Sequence, residues 1–528
     1  MSSPYSSVDE AGNVVFPRRY NAAVDLLDRH VDQGRGARVA YRCEGMATTY
    51  AALHDRANRV GNALLGLGAR PEQRVLMVML DTADFAAVFL GAMKAGLVPV
   101  PANTLLTDVD YTYLLADTRA SVVVVSDALL PKLAPALAAA PAPVHVIVAT
   151  SPLGGAHGGY AHLDALLAAA APALVAADTT PDDVAFWLYS SGSTGAPKAA
   201  MHLHSHPMQT VVHYARGVLG MREDDVVFSA AKLFFAYGLG NALTFPLALG
   251  ATAVLLAERP TPAAVRHVLR EQRPTIFCGV PTLYASMLAH GGMTGDVASS
   301  VRVSTSAGEA LPKHVGEAWR ERMGTEILDG IGSTELLHIF LSNRPGEVRY
   351  GTSGKPVGGY EVKLVGDDGD LVADGEEGAL WVRGPSSAVA YWNQRERSLA
   401  TFHGPWTRTG DRYVRDRDGY YTYSGRADDM LKVGGIWVSP FEVESALASH
   451  DAVLEAGVAA HTDEDGLVKP KAYVVLHDPA AGTEALEHEL KHYVKGKLAP
   501  YKYPRWIEFV VELPKTATGK IQRFRLRG

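Results

Sequence analysis

The sequence predicts an α/β protein in two parts. Residues 1–427 form a large N-terminal region that turns β-rich from about 360, and 428–528 form a small α+β domain. Three observations carry this division. A chain of 528 residues exceeds one compact domain, since about 150 residues per domain is the usual scale. Continuous apolar runs alternate with helix-period segments as far as Tyr360, the pattern of a parallel sheet with covering helices. Beyond Tyr360 the strands shorten and turn signals crowd in, and the C-terminal stretch mixes both textures.

Taken in order, RVLMVML from Arg74 reads as a buried strand and DFAAVFLGAMKAG from Asp84 as a helix. Leu97 to Pro101 is a strand, DVDYTYLLADT a helix and SVVVVS a strand. Residues 131–181 are rich in Ala, Pro and Gly, and predict one helix, the strand VHVIVAT and a loop-rich excursion. DVAFWLYS from Asp183 resumes the pattern as a buried strand, followed by a Gly/Ser loop and a helix over His213 to Leu219. Strands follow at ATAVLLA, PTIFCGV, VRVSTS and TEILDG. Leu311, Val315 and Trp319 recur at i, i+4 and place a helix over Lys313 to Met323. YEVKLV, GALWVRG and YYTYSG, separated by DDGD, GPS and DRDG, make the β-rich module. The last part has helices over Phe441 to His450 and Glu484 to Leu498, and strands at VLEAGVAA, KAYVVL and RWIEFVV. The charged, glycine-flanked SGRADDMLKVGG from Ser424 reads as the joint, with the boundary near Asp428.

Composition removes several classes of function. Formal charge is −7, from 50 Lys and Arg against 57 Asp and Glu. No basic block stands out, which argues against nucleic acid or an anionic membrane as the main partner. Two cysteines, Cys43 and Cys278, are too few for a disulfide framework or a Cys-rich zinc site and fit the reducing cytoplasm. The start MSSPYSSVDEAGNVV has neither a basic n-region nor an apolar h-region. The apolar stretch LLAAAAPALVAA from Leu166 is broken by Pro172 and falls short of the ~20 residues of a membrane span.

The sharpest chemistry lies in YSSGSTGAPKAA from Tyr189. A strand runs into Gly192 and Gly195, with Ser190, Ser193 and Thr194 around them and Lys198 just beyond. Glycines let backbone N–H groups approach an anion, hydroxyls add donors and lysine adds a point charge: a phosphate cradle. Lys198 follows the second glycine by three residues, which is not the Walker spacing. Taken singly, such a loop is as often a plain Gly/Ser turn.

Further segments agree in order: SAGEAL at Ser306, DGIGSTE at Asp329, TGD at Thr409, GRADDMLKVGG at Gly425 and PKTATGKIQR at Pro514. With the glycine loop, these six resemble the acyl-adenylate-forming superfamily over most of the chain. AAKLFFAYGLGN, GIGSTELLHIFLSNRPG and LPKTATGKIQRFRLR are similar to its benzoate-CoA ligase branch. The resemblance implies a large N-terminal domain of α/β subdomains with a β-barrel, and a small mobile C-terminal domain. It implies a two-step reaction: a carboxylate attacks the α-phosphate of ATP to give acyl-AMP and diphosphate, then the CoA thiol displaces AMP.

The roles it implies fall on named residues. Thr334 and Glu335 match the family's phosphate and Mg²⁺ contacts, and Asp411 its ribose ligand. Gly308 and Glu309 resemble the adenine-side segment, Asp329 and Gly330 fall among the ATP-binding residues, and Ile331 stands where many members carry an aromatic ring. Ala199 stands after Lys198 where glycine is common. Arg426 is an adenylate contact and Asp428 the hinge. Lys520 matches the lysine that bridges the acid's carboxylate and the α-phosphate during the first step. Rotation about the hinge would withdraw Lys520 and bring Gly434 and Gly435 to line a pantetheine passage.

The acid pocket falls on Phe234, Phe235, Ala236, Tyr237 and Gly332, with His338 and Ile339 opposite. It has no carboxylate where amino-acid-activating relatives pair an ammonium group, which favours a flat, apolar aromatic acid such as benzoate. A structural role for His338 is equally compatible with the sequence. His202, His204 and His206 form HxHxH, which on a strand would share one face, but lack acidic or Cys partners for a metal site. The reading is a cytoplasmic aryl-CoA ligase using ATP, Mg²⁺ and CoA, with a homodimer as the default assembly. Two rivals stay open: an aryl-acid adenylating enzyme that loads a carrier protein, and a catalytically silent nucleotide-binding protein.

Overall fold

The computed structural model describes residues 3–140, 144–192, 195–290, 292–426, 429–433, 436–463, 468–498, 502–515 and 521–526. The α/β region resolves into two sheets. In the first, strands Val98–Pro101, Arg74–Val78, Val122–Ser126, His145–Ala149 and Ala161–His162 lie side by side and parallel. The second has nine strands, of which six form a parallel run: Val39–Cys43, Thr252–Leu255, Val226–Ser229, Ile276–Gly279, Val303–Ser306 and Ile327–Gly332. Antiparallel strands extend both edges: Met46–Thr49 at one, Ile339–Ser342 and Lys355–Pro356 at the other. Every residue of Val122–Ser126 and of Val303–Ser306 is buried, because helices cover both faces of a parallel sheet.

Between Asp183 and Leu219 the structure differs from the sequence reading. Val184–Gly192 does not run into a loop and helix; it pairs antiparallel with a second strand, Gly195–Leu203. Its first six residues are Gly, Ala and Pro with one Lys, types of low β-propensity, so pairing across the hairpin rather than local preference forms it. Helical structure then begins at His206 and runs to Arg216, earlier than His213, with Pro207 in its first turn.

The β-rich module is a five-stranded antiparallel sheet of Glu361–Val365, Glu377–Arg383, Phe402–His403, Trp406–Arg415 and Tyr421–Arg426. It curls as a half-barrel: among the described residues its first strand does not pair with Tyr421–Arg426 to close a ring. The C-terminal part has a core of its own, in which Val443, Leu447, Val458, Val474, Leu490 and Val494 pack together. Helices Pro440–Ala448 and Glu484–Lys497 cover strands Val453–Thr462, Val468–Leu476 and Trp506–Phe509. Among the described residues no helix is long and apolar enough to cross a membrane.

Candidate active site

The register of the hairpin sets Ser190 directly across from Lys198, and facing residues on one face of an antiparallel pair keep their side chains together. A neighbouring helix braces the strand that carries the lysine. Asp108–Thr118 starts with a capping box, in which Thr107 and Asp110 bond reciprocally. One turn apart on this helix, the Tyr113 hydroxyl donates to the Pro197 carbonyl at 3.0 Å and Asp117 accepts from the Tyr189 hydroxyl at 2.5 Å.

Glu335 lies where these side chains converge. Its Oε1 accepts from the Ser190 hydroxyl at 3.2 Å and the Tyr391 hydroxyl at 2.7 Å, and stands 3.6 Å from the Lys198 ammonium. Lys198 also donates to the Tyr391 hydroxyl at 3.0 Å. Burial works to raise the carboxyl's pKa, but Lys198, Tyr391 and Arg426 together hold it below the usual range. Segment 388–392 ties the cluster together. The Ala388 N–H donates to the Glu335 carbonyl, Met201 N–H to Ala390 O, and Trp392 N–H to Ala199 O.

Arg426 and Asp411 face each other across strands Trp406–Arg415 and Tyr421–Arg426, 3.3 Å apart. Asp411 is buried within strand Trp406–Arg415, where Thr409 Oγ1 accepts its backbone N–H. Arg426 also donates to the Thr409 carbonyl at 3.2 Å. The hairpin, through Ser190 and Lys198, and the half-barrel, through the charge of Arg426, therefore both bear on one carboxylate, Glu335.

The predicted ATP-binding residues from Gly308 to Ile331 divide. Gly308 adopts φ +98°, a left-handed turn that favours glycine, with Glu309 next to it. The carboxyl of Asp329 turns inward: Oδ2 accepts from the Leu311 N–H at 3.3 Å and so pins the Gly308–Leu311 turn to strand Ile327–Gly332. Burial pushes this carboxyl up to about 8. Ile331 packs against the main core. Gly330 and Gly332 lie where the edge strand comes close: a Cβ on Gly332 would fall 2.6 Å from the His338 carbonyl, and one on Gly330 2.7 Å from the Leu341 carbonyl.

The residues assigned to the acid pocket form two aromatic contact groups, one around Phe234 and Phe235 and one around His338. Phe234 and Phe235 meet edge to face at 4.4 Å, and Ala236 opens the helical turn Ala236–Leu239. The Tyr237 and Thr305 hydroxyls share a 2.6 Å bond. His338 sits among the rings of Phe245, Tyr214 and Tyr237, with centroids 4.5, 5.1 and 5.6 Å away, and its Nε2 donates to Tyr237 O at 3.3 Å. Burial pulls its pKa down to about 3, so the ring is neutral. Ile339 beside it is buried.

The three HxHxH histidines do not share one set of partners. His202 Nε2 donates to the Thr334 carbonyl at 2.8 Å, and its Nδ1 lies 3.1 Å from His206 Nδ1. His204 Nδ1 accepts from the Ala22 N–H instead. Burial lowers His202 and His204 to about 4 and holds His206 well below its ordinary value. These are packed, neutral braces, and His202 supports the turn that carries Glu335.

Lys520, Asp428, Gly434, Gly435, Ser193 and Thr194 lie outside the described residues. The sequence reading missed Tyr391, Tyr113 and the bracing role of His202. Their partners lie 56 to 193 residues away for Tyr391, 84 for Tyr113 and 132 for His202, so no local spacing marks them.

Fold and site together define a two-domain, adenylate-forming enzyme. The AMP-binding enzyme family matches residues 27–392, and the AMP-binding enzyme C-terminal domain matches 442–520. The chain belongs to the AMP-binding enzyme family. It is 58% identical to a benzoate–CoA ligase of Thauera aromatica over 516 residues, 97% of each chain. A 4-hydroxybenzoate–CoA/benzoate–CoA ligase of Rhodopseudomonas palustris is 51% identical over 97% of this chain and 94% of that one. The crystal structure of a benzoate CoA ligase from Burkholderia xenovorans LB400 superposes with a TM-score of 0.90 at 52% identity, covering 96% of this chain and all of that one.

Proposed function

We infer that the protein is an ATP-dependent, AMP-forming aryl-CoA ligase of the benzoate-CoA ligase type. An aromatic carboxylate displaces diphosphate from the α-phosphate of ATP to form an aryl-adenylate, and the CoA thiol then displaces AMP. One observation carries the reading. The six-residue turn 333–338 presents Glu335 to the Ser190–Lys198 hairpin at one end and His338 to the aromatic cluster at the other. On this reading the two reacting anions bind at adjoining places, as a bimolecular attack needs.

Lys198, Ser190 and the backbone around Gly192 and Gly195 hold the polyphosphate, with Ser193 and Thr194 completing the loop. Asp411 takes the ribose hydroxyls, Arg426 the adenylate, and Thr334 a phosphate oxygen. Gly308, Glu309, Gly330 and Ile331 frame the adenine, and Asp329 acts by holding their turn. Phe235, Ala236, Tyr237, Gly332, His338 and Ile339 enclose the ring of the acid. Among the described residues no three His, Cys, Asp or Glu side chains group into a metal cage. A lone Glu335 beside a phosphate cradle suits Mg²⁺, which is commonly held by one or two carboxylates plus substrate phosphates. When bound there, Mg²⁺ would offset phosphate charge.

Lys520 supplies the positive charge between the two anions in the first step. The C-terminal domain, from about 428, turns at Asp428 to bring Gly434 and Gly435 to the thiol's path. A cytoplasmic location accords with Cys43 and Cys278, both buried and unpaired; a homodimer is the assembly we propose.

Purified protein with benzoate, ATP and Mg²⁺ should release diphosphate, and should form a thioester once CoA is added. Absence of diphosphate release across aryl and alkyl acids overturns the enzyme reading. Release without transfer to CoA redirects it to carrier loading.

A further inference from the structure

We propose that Tyr391 is a positioning residue for the phosphate site, acting through Glu335; this rests on the function proposed above. Its hydroxyl bonds both charged side chains of the cluster, donating to Glu335 at 2.7 Å and accepting from Lys198 at 3.0 Å. A single hydroxyl can do both, since a carboxylate only accepts and an ammonium only donates. The described contacts to the carboxylate converge on Oε1, which fixes the carboxyl's rotation.

Tyr391 is itself held firmly. Its ring is buried, pairs with Phe402 at 5.2 Å and packs on Ala200 and Ala388. Its N–H donates to Ser398 Oγ at 3.0 Å, and Ala200 faces it in a β-bridge. Two flexible side chains are thus referenced to one rigid ring, and their placement needs no reordering when a polyphosphate arrives.

The test is Tyr391→Phe, which keeps the ring packing and removes one oxygen. Calorimetric titration without acid substrate measures binding and no chemistry. Mg·ATP affinity should fall about tenfold, while AMP, which lacks the outer phosphates, should bind within twofold of the parent. On a Glu335→Gln background the same change should cost less than twofold, because a residue acting through Glu335 loses its effect when that carboxylate is gone. A merely structural tyrosine would weaken AMP and Mg·ATP alike and cost the same on both backgrounds; either result overturns the proposal. If Tyr391→Phe melts early, both titrations are repeated at a temperature below its unfolding transition, and additivity with Glu335→Gln there overturns the proposal too. Failure of the parent protein to bind Mg·ATP sinks the proposed function instead, which separates the two readings.

Discussion

Gly240 offers a direct test of the aromatic pocket. It lies in the helical segment Gly240–Thr244 with ordinary helical φ and ψ, so alanine meets no backbone strain there. A Cβ at this position would stand 2.3 Å from His338 Cδ2 and 2.6 Å from Nε2, with Phe245 Cζ at 3.1 Å. Tight contact begins near 3.4 Å, so the imidazole must yield by 3.4 − 2.3, or 1.1 Å. It has little freedom to do so, since Tyr214, Phe245 and Tyr237 surround it and Nε2 is bonded to Tyr237 O. Overpacking of this kind costs about 1–3 kcal/mol, and replacing a helical glycine returns roughly 0.5–1 kcal/mol. At the midpoints of these ranges Gly240→Ala should therefore be less stable by about 1 kcal/mol, read by denaturant unfolding. A misfit in the pocket should raise KM for benzoate about tenfold, worth ~1.4 kcal/mol, while KM for ATP stays within twofold. Unchanged stability and unchanged benzoate KM together refute the packing reasoning. Lost stability with an unchanged benzoate KM removes His338 from the acid pocket.

Lys520→Ala should suppress adenylation severely yet leave thioester formation from supplied benzoyl-AMP largely intact; equal loss of both half-reactions, followed by rapid quench, rejects the division of labour. Asp329, raised by burial from the unfolded value of 3.8 to about 8, takes up a proton on folding at pH values between the two. The unfolded state therefore binds fewer protons between these values, and this group's contribution to stability declines as pH rises through that window. Asp329→Asn should melt higher than the parent at pH 8, with the gap closing toward pH 4. The buried histidines act in the opposite sense. His202, lowered to about 4, and His338, to about 3, contribute stability that is present above the unfolded 6.5 and lost as pH falls toward the folded values. Melting temperature should drop between pH 6.5 and 4 with proton uptake on unfolding, and a flat profile there contradicts their burial as neutral rings.

Much of the fold was legible because its strands are continuous apolar runs, such as Val122–Ser126, whose burial on two faces demands such composition. The strand Gly195–Leu203 was not, since its Gly, Pro and Ala residues carry no strand signal and only the facing Val184–Gly192 holds them extended. The same distinction governs the site. Lys198, Glu335 and Asp411 stand in motifs whose order speaks for itself. Tyr391 enters through tertiary pairing with the hairpin, and a tyrosine in SSAVAYWN bears no mark of it. Asp329 shows the converse: its motif points to a nucleotide, but burial directs its carboxyl to the Leu311 N–H.

Glu335 and His338 share a short connection in which Leu337 already takes a left-handed φ of 64°. Such a conformation is costly for leucine, so this connection has little slack to absorb a residue gained or lost. A change in its length would disturb acid choice and phosphate handling together. The helical turns from Ala236 to Thr244 meet His338 from the opposite side through Gly240 and hold no member of the Glu335 cluster. A designer seeking a new aromatic acid should begin on those turns, where the ring's surroundings can be recut while the charge-handling half of the molecule is left alone.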